Sequence, residues 1–66
     1  MTWISVENQL PERGHVIDIW VVTHATSGYR VTDATCLGSG YEDSKGIYYC
    51  KDEVTHWRYP PAPPQN

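Results

Sequence analysis

Ten residues near the C-terminal end constrain this chain most: Thr55-His56-Trp57-Arg58-Tyr59-Pro60-Pro61-Ala62-Pro63-Pro64. Two large aromatics run there into four prolines within five residues. Proline has no N–H for a ladder and fixes φ, so the stretch enters as a strand and leaves as an extended polyproline II segment. A chain of 66 residues has little other apolar surface to set against it. It forms one domain, residues 1–66, and a domain of this size buries only about 60% of the surface its unfolded chain exposes. With no Phe present, the three tryptophans Trp3, Trp20 and Trp57 are the expected structural core. Each brings roughly 150–250 Å² of burial.

The residues before that end read as a β-rich succession. Trp3-Ile4-Ser5-Val6 is a short apolar opening, with room for a single helical turn from Ser5 before Pro11 arrives. In Leu10-Pro11-Glu12-Arg13-Gly14 the proline extends Leu10, which is expected to anchor a loop. His15 to Thr23 is dense in β-branched residues. Period-two alternation puts Ile17, Ile19 and Val21 on one face and Val16, Asp18, Trp20 and Val22 on the other, with Asp18 expected at an exposed position. A second strand follows over Tyr29 to Leu37, with Tyr29, Val31 and Leu37 opposite Arg30, Thr32, Ala34 and Cys36. Gly38 to Gly46 is polar and bounded by glycine, the expectation for a long mobile loop. Ile47 to Cys50 is a third strand and Val54 to Tyr59 a fourth, with Thr55, Trp57 and Tyr59 opposite Val54, His56 and Arg58. The fold class is mainly β: a small antiparallel sheet of three to four strands, with the proline-rich tail packed back onto Trp3 or Trp57. The P-x-x-P spacing in that tail also suits an aromatic groove on a partner.

Charge and motif chemistry narrow the function classes. The formal net charge is −3, from eight acids against five Lys and Arg, with no basic run. That disfavours direct nucleic-acid binding, which depends on neutralising phosphates. No apolar run approaches membrane-spanning length, and no secretory leader precedes Trp3, so the expectation is a cytoplasmic protein with reduced thiols. Cys36 and Cys50 sit in strand-like runs and are expected to pack as small hydrophobes. His15, His24, His56, Cys36 and Cys50 include no close ligand pair, so no metal site is expected. His56 is expected to bond backbone beside Trp57. No Ser or Cys stands in a recognisable nucleophile–base setting, and no cofactor, catalytic residue or enzyme activity is expected. Glu42-Asp43 and Asp52-Glu53 read most simply as solvated turn and strand-end residues. The sharper alternative is an acidic partner-binding rim formed by Glu42, Asp43, Asp52 and Glu53 around the third strand.

The two ends carry a resemblance. Trp3-Ile4-Ser5-Val6 followed by Leu10-Pro11-Glu12 before a β-rich strand, and Val54-Thr55-His56-Trp57 leading into Pro60 and Pro63-Pro64, resemble a widespread family of small phage and prophage proteins of uncharacterised function. Its members open with W-I-S-V-x-x-x-L-P and close with T-H-W-x-P-x-P-x-P-P. This chain departs at Arg58-Tyr59, where the family tends to have a methionine or other apolar residue and a proline. The resemblance implies a product of a phage or mobile element, and it supplies no catalytic residues. By analogy with other small acidic proteins of such elements, it implies an accessory protein in the bacterial cytoplasm that binds and inhibits a host protein. A CRISPR effector subunit blocked from binding DNA is the leading candidate, and a minor virion structural or assembly component is the alternative.

Overall fold

The computed structural model describes residues 3–24 and 27–60. Within them the chain forms one antiparallel sheet of six strands: β1 Ile4–Ser5, β2 Val16–Val21, β3 Tyr29–Cys36, β4 Gly40–Glu42, β5 Tyr48–Cys50 and β6 Val54–Arg58, in the spatial order β1-β6-β2-β3-β4-β5. The mainly β reading and its long strands hold. The count of three to four strands is too low, because two short strands lie where the sequence suggests only an opening segment and a loop. Gly38 to Gly46 contains β4, Gly40–Glu42, whose Tyr41 is buried, so part of this stretch belongs to the sheet and is not loop. Residues 61–66, and with them the tail expected to pack on the sheet, lie outside the described residues.

The strands form where the sequence concentrates β-branched and aromatic residues, which suit a half-buried pleated surface. β2 is central. It pairs with β3 on one side and β6 on the other, and Ile17, Ile19 and Val21 are all fully buried. Two irregularities then break the simple alternation. Ile17 pairs with Ala34 but Ile19 with Val31, so Thr32 and Asp33 together face the single residue Asp18. Asp33 sits at φ 57, a left-handed conformation that aspartate tolerates better than most residues. This bulge carries Ala34 and Cys36 onto the same face as Val31, correcting the period-two assignment of β3. In β6, Trp20 pairs with His56 but Val21 with Val54, leaving Thr55 as the extra residue. Val54 and Trp57 are therefore both buried although three positions apart, and the expected opposition of Val54 to Trp57 does not hold.

One cluster of buried side chains draws on β2, β3, β4, β5 and β6, with Ile4, Val6 and Val31 packed against it. Five strands share one core only if the sheet curls, which strand twist and bulges both favour. Trp57 is fully buried at its centre, in a row with Ile4 and Ile19. Burying an indole of that size is worth about 4–6 kcal/mol. The segment after β1 caps the core. Asn8 and Gln9 donate their N–H groups to the Ser5 carbonyl at 3.0 and 3.1 Å, making the single helical turn, and the Trp57 indole N–H donates to the Gln9 carbonyl at 2.8 Å. Pro11 is buried, whereas Leu10 is 70% exposed, so the proline and not the leucine anchors this loop. Cys36 is buried and Cys50 exposed, and both thiols are free. Cys36, Tyr41 and Tyr49 lie in one inward row, while Cys50 is the next residue along β5 and points outward. Core packing thus applies to Cys36 alone.

Candidate functional site

The structure distributes the four candidate acids rather than gathering them. Glu42 ends β4 opposite Tyr48, exposed. Asp43 is occupied with folding: its Oδ1 accepts the N–H groups of Lys45 and Ile47 at 2.9 and 3.0 Å, and its Oδ2 accepts the Tyr49 hydroxyl at 3.0 Å. These bonds close the β4–β5 turn, joined by Asp43 N–H to the Ile47 carbonyl. Asp52 and Glu53 fall in a 3₁₀ turn, Lys51–Glu53, beyond the other end of β5. There the Glu53 carboxylate accepts the Cys50 N–H at 3.2 Å and its carbonyl accepts the Val22 N–H at 2.7 Å. The two pairs flank the three-residue strand β5, one at each of its ends.

The hydrogen bonds at Asp43 have a titration signature. Bonding from the Ile47 N–H, with help from Tyr49 and Lys45, holds the Asp43 carboxyl below its ordinary 3.8. The Tyr49 hydroxyl is pushed up to about 12, first by loss of hydration and then by its bond to Asp43. Tyr41 is also raised, by burial and by the neighbouring Cys36.

The side chains that do converge lie on the outer face of the sheet, where β1, β6 and β2 run side by side. Asp18 is 3% exposed, contrary to its expected exposure, and β-register sets it opposite Arg58. The Arg58 Nε lies 3.2 Å from Asp18 Oδ2. The same guanidinium stacks over the Trp3 ring, 4.6 Å from its centroid, an arrangement worth about 0.5–2 kcal/mol depending on desolvation. Trp3 in turn meets Trp20 edge to face at 5.9 Å and 67°. The next row across the sheet is Ser5, His56, Trp20 and Arg30. Between Trp3, Trp20 and His56 opens a cleft of about 250 Å³. The His56 Nδ1 bonds the Thr55 hydroxyl at 2.9 Å, a side-chain partner in place of the expected backbone one.

Trp3 and Trp20 are therefore half-buried walls of an open cleft and not core residues. Trp57, with the opposite parity, points through to the closed side and meets Tyr59 at 5.1 Å and 84°. Trp3 contacts the C-terminal strand through Arg58, not Trp57. Gly28 helps position this site. It sits at φ +123, and a Cβ there would come within 2.8 Å of the Trp20 indole, so the ring lies flat against glycine backbone. The signal for the cleft was in the sequence: alternation alone puts Asp18 with Trp20, and His56 with Arg58, on shared faces.

Chemically, the cleft presents aromatic surface and the His56 imidazole, with the Arg58–Asp18 pair beside it. Among the described residues no three metal-capable side chains converge, and no helix is long and apolar enough to cross a membrane.

A family profile described as a protein of unknown function, DUF551, matches residues 2–65, and the chain belongs to that family. No curated protein and no solved structure matches it.

Proposed function

We propose that this DUF551 chain is a small, non-enzymatic binding domain of a phage or mobile element that acts by occupying a surface of a bacterial host protein. The observation that carries the reading is the half-buried pair Trp3 and Trp20 beside the stacked Arg58 on the outer face of the sheet. Trp and Arg dominate the energetic centres of protein interfaces, and they do so in pockets like this one. In a domain so short of apolar surface, two indoles left on the outer face are more economically explained by a partner than by folding. The phage origin rests on the resemblance of the two chain ends, and inhibition of a CRISPR effector is its narrower form. Glu42, Asp43, Asp52 and Glu53 sit in two pairs at the ends of β5, and Asp43 and Glu53 are engaged in turn hydrogen bonds, which favours the aromatic face as the main contact surface.

The test is co-purification from a bacterial host lysate with the parent chain and with Trp20→Ala, both first shown to be folded. A stoichiometric host protein, held by the parent and lost with the variant, is the expected result. Equal capture by both chains, or recovery of the parent in assembled virions alone, would overturn it.

A further inference from the structure

A cavity of about 390 Å³ opens at the margin of the core and shares no lining residue with the tryptophan cleft. Leu10, Pro11 and Arg13 of the loop before β2, Cys36 and Tyr41 of the paired strands β3 and β4, and Lys51 after β5 surround it. Its size falls within the roughly 300–1,000 Å³ of small-ligand sites. Pro11, Cys36 and Tyr41 are buried and make its interior largely apolar. Leu10 stands 70% exposed at its side. Folding does not call for that leucine, since Pro11 anchors the loop, whereas an apolar molecule in the cavity would remove it from water.

The charge around the cavity runs against that of the chain. Arg13 and Lys51 are two of five Lys and Arg in a sequence of net charge −3, and they meet at one cavity. Among the described residues no carboxylate lines it. The ion pairs there, Glu12 with His15 at 3.3 Å and Asp18 with Arg58, engage neither cation, and the Glu53 carboxylate accepts the Cys50 N–H instead. The stem of Arg13 is also held in place. Gly38 sits at φ +88, and a Cβ there would stand 3.1 Å from the Arg13 Cδ, so the arginine lies on bare glycine backbone. An apolar hollow edged by two free cations is a local inversion of the field, and it draws an anion to a molecule that otherwise repels one.

We infer that this cavity binds a small organic anion with an apolar body, of the type of a medium-chain or aryl carboxylate. The body lies against Leu10, Pro11, Cys36 and Tyr41, and the carboxylate is taken by Arg13, whose planar fork suits it, with Lys51 as a second positive charge. A concave site with an apolar interior and a few charged groups is the form that small-ligand sites take, whereas protein interfaces centre on anchors such as Trp3 and Trp20. The inference goes beyond the binding of a host protein and shares no residue with it.

Titration of the ¹⁵N-labelled full chain with three probes tests it: octanoate, 1-octanol, which lacks the charge, and acetate, which lacks the apolar body. Octanoate up to about 3 mM, the affinity range open to so few atoms, should shift the amide signals of Leu10, Gly38 and Tyr41 to saturation. Octanol should move the same signals with an affinity weaker by about tenfold or more, the loss expected for a charge-assisted bond, and acetate should leave them in place. In the chain carrying Arg13→Gln and Lys51→Gln, both at exposed positions, octanoate should bind only as weakly as octanol, with octanol binding unchanged. Octanoate that does not saturate, octanol that binds as tightly, acetate that shifts the same signals, or a double variant that binds octanoate like the parent overturns the inference. So do shifts centred on the Trp3 and Trp20 indoles, which would place the ligand in the other cleft. Saturable octanoate binding by a chain that captures no host protein would uphold this inference and remove the proposed function alone, and capture without octanoate binding would do the reverse.

Discussion

The two faces of the sheet use tryptophan in opposite ways. On the closed face Trp57 is fully buried, its N–H is satisfied by Gln9, and five strands contribute neighbours. On the open face Trp3 and Trp20 touch each other, an arginine and a cleft. The same residue type stabilises the fold on one side and displays a surface on the other. Composition cannot separate these roles, because what differs is parity along the strand. Burial energy tracks completeness of enclosure, so the two sides should respond unequally to truncation.

Trp57→Ala should cost about 3–5 kcal/mol, enough to unfold much of so small a domain. Trp20→Ala should cost less than about 1.5 kcal/mol, since its site is already open to water. Equal losses in urea denaturation would erase the distinction between the faces. Next in size is Arg58→Ala, which leaves the Asp18 carboxylate buried without its partner, at a cost of about 2–3 kcal/mol. Adding Asp18→Asn to that variant should recover part of the loss, and a double-mutant cycle with no coupling would show the pair to be incidental. Gly28→Ala should cost about 1 kcal/mol through its left-handed backbone, with altered Trp20 fluorescence and an unchanged Trp57 indole signal. Movement of both indoles would mean that the faces are mechanically linked.

The turn at Asp43 makes stability depend on pH at both extremes. Its folded carboxyl titrates below 3.8, so the stabilisation is present above that value and lost as pH falls through the folded one. Tyr49 titrates near 12 against an ordinary 10.0, so its contribution is intact below pH 10 and disappears as pH rises toward 12. Asp43→Asn should flatten the acid limb of a plot of urea midpoint against pH. The smallest effect belongs to Glu42→Lys, within about 0.5 kcal/mol of the parent. Reversing Asp43 as well should destabilise the fold, contrary to the expectation that both are free surface charges.

What the sequence showed and what it hid follow from how far each signal extends. β2, β3 and β6 run five to eight residues, long enough for β-branched density to declare them. β1 and β4 span two and three residues and exist only because a longer neighbour supplies the ladder. β4 was further disguised by Gly40. That glycine looks like loop, yet the Tyr48 ring lies across it, with Tyr49 O 2.7 Å from where a Cβ would stand. The bulges at Asp33 and Thr55 were invisible to alternation, since each inserts a residue without a local sequence mark beyond Asp33 itself. Asp18 was misplaced because its partner is forty positions away. At the candidate site composition places all three tryptophans in the core, which holds for Trp57 and not for the half-buried Trp3 and Trp20, and the charge of Asp43 conceals its hydrogen bonds in the Asp-Ser-Lys-Gly turn.

The strand order also dictates a timetable. β6, the sixth strand to leave the ribosome, is inserted between the first and second, and it brings Trp57 to a core that has no centre until then. β1 waits for most of the chain to be made before its partner exists, with Ile4 joining Trp57 across 53 positions. Closing so wide a gap before any reward is slow, and such non-local pairing places folding toward the millisecond-to-second range. During synthesis the β2–β3 hairpin therefore travels with one edge open and Ile17, Ile19 and Val21 uncovered. A chain cut short before Val54 lacks Trp57, leaves β1 without its partner and keeps one edge of β2 open.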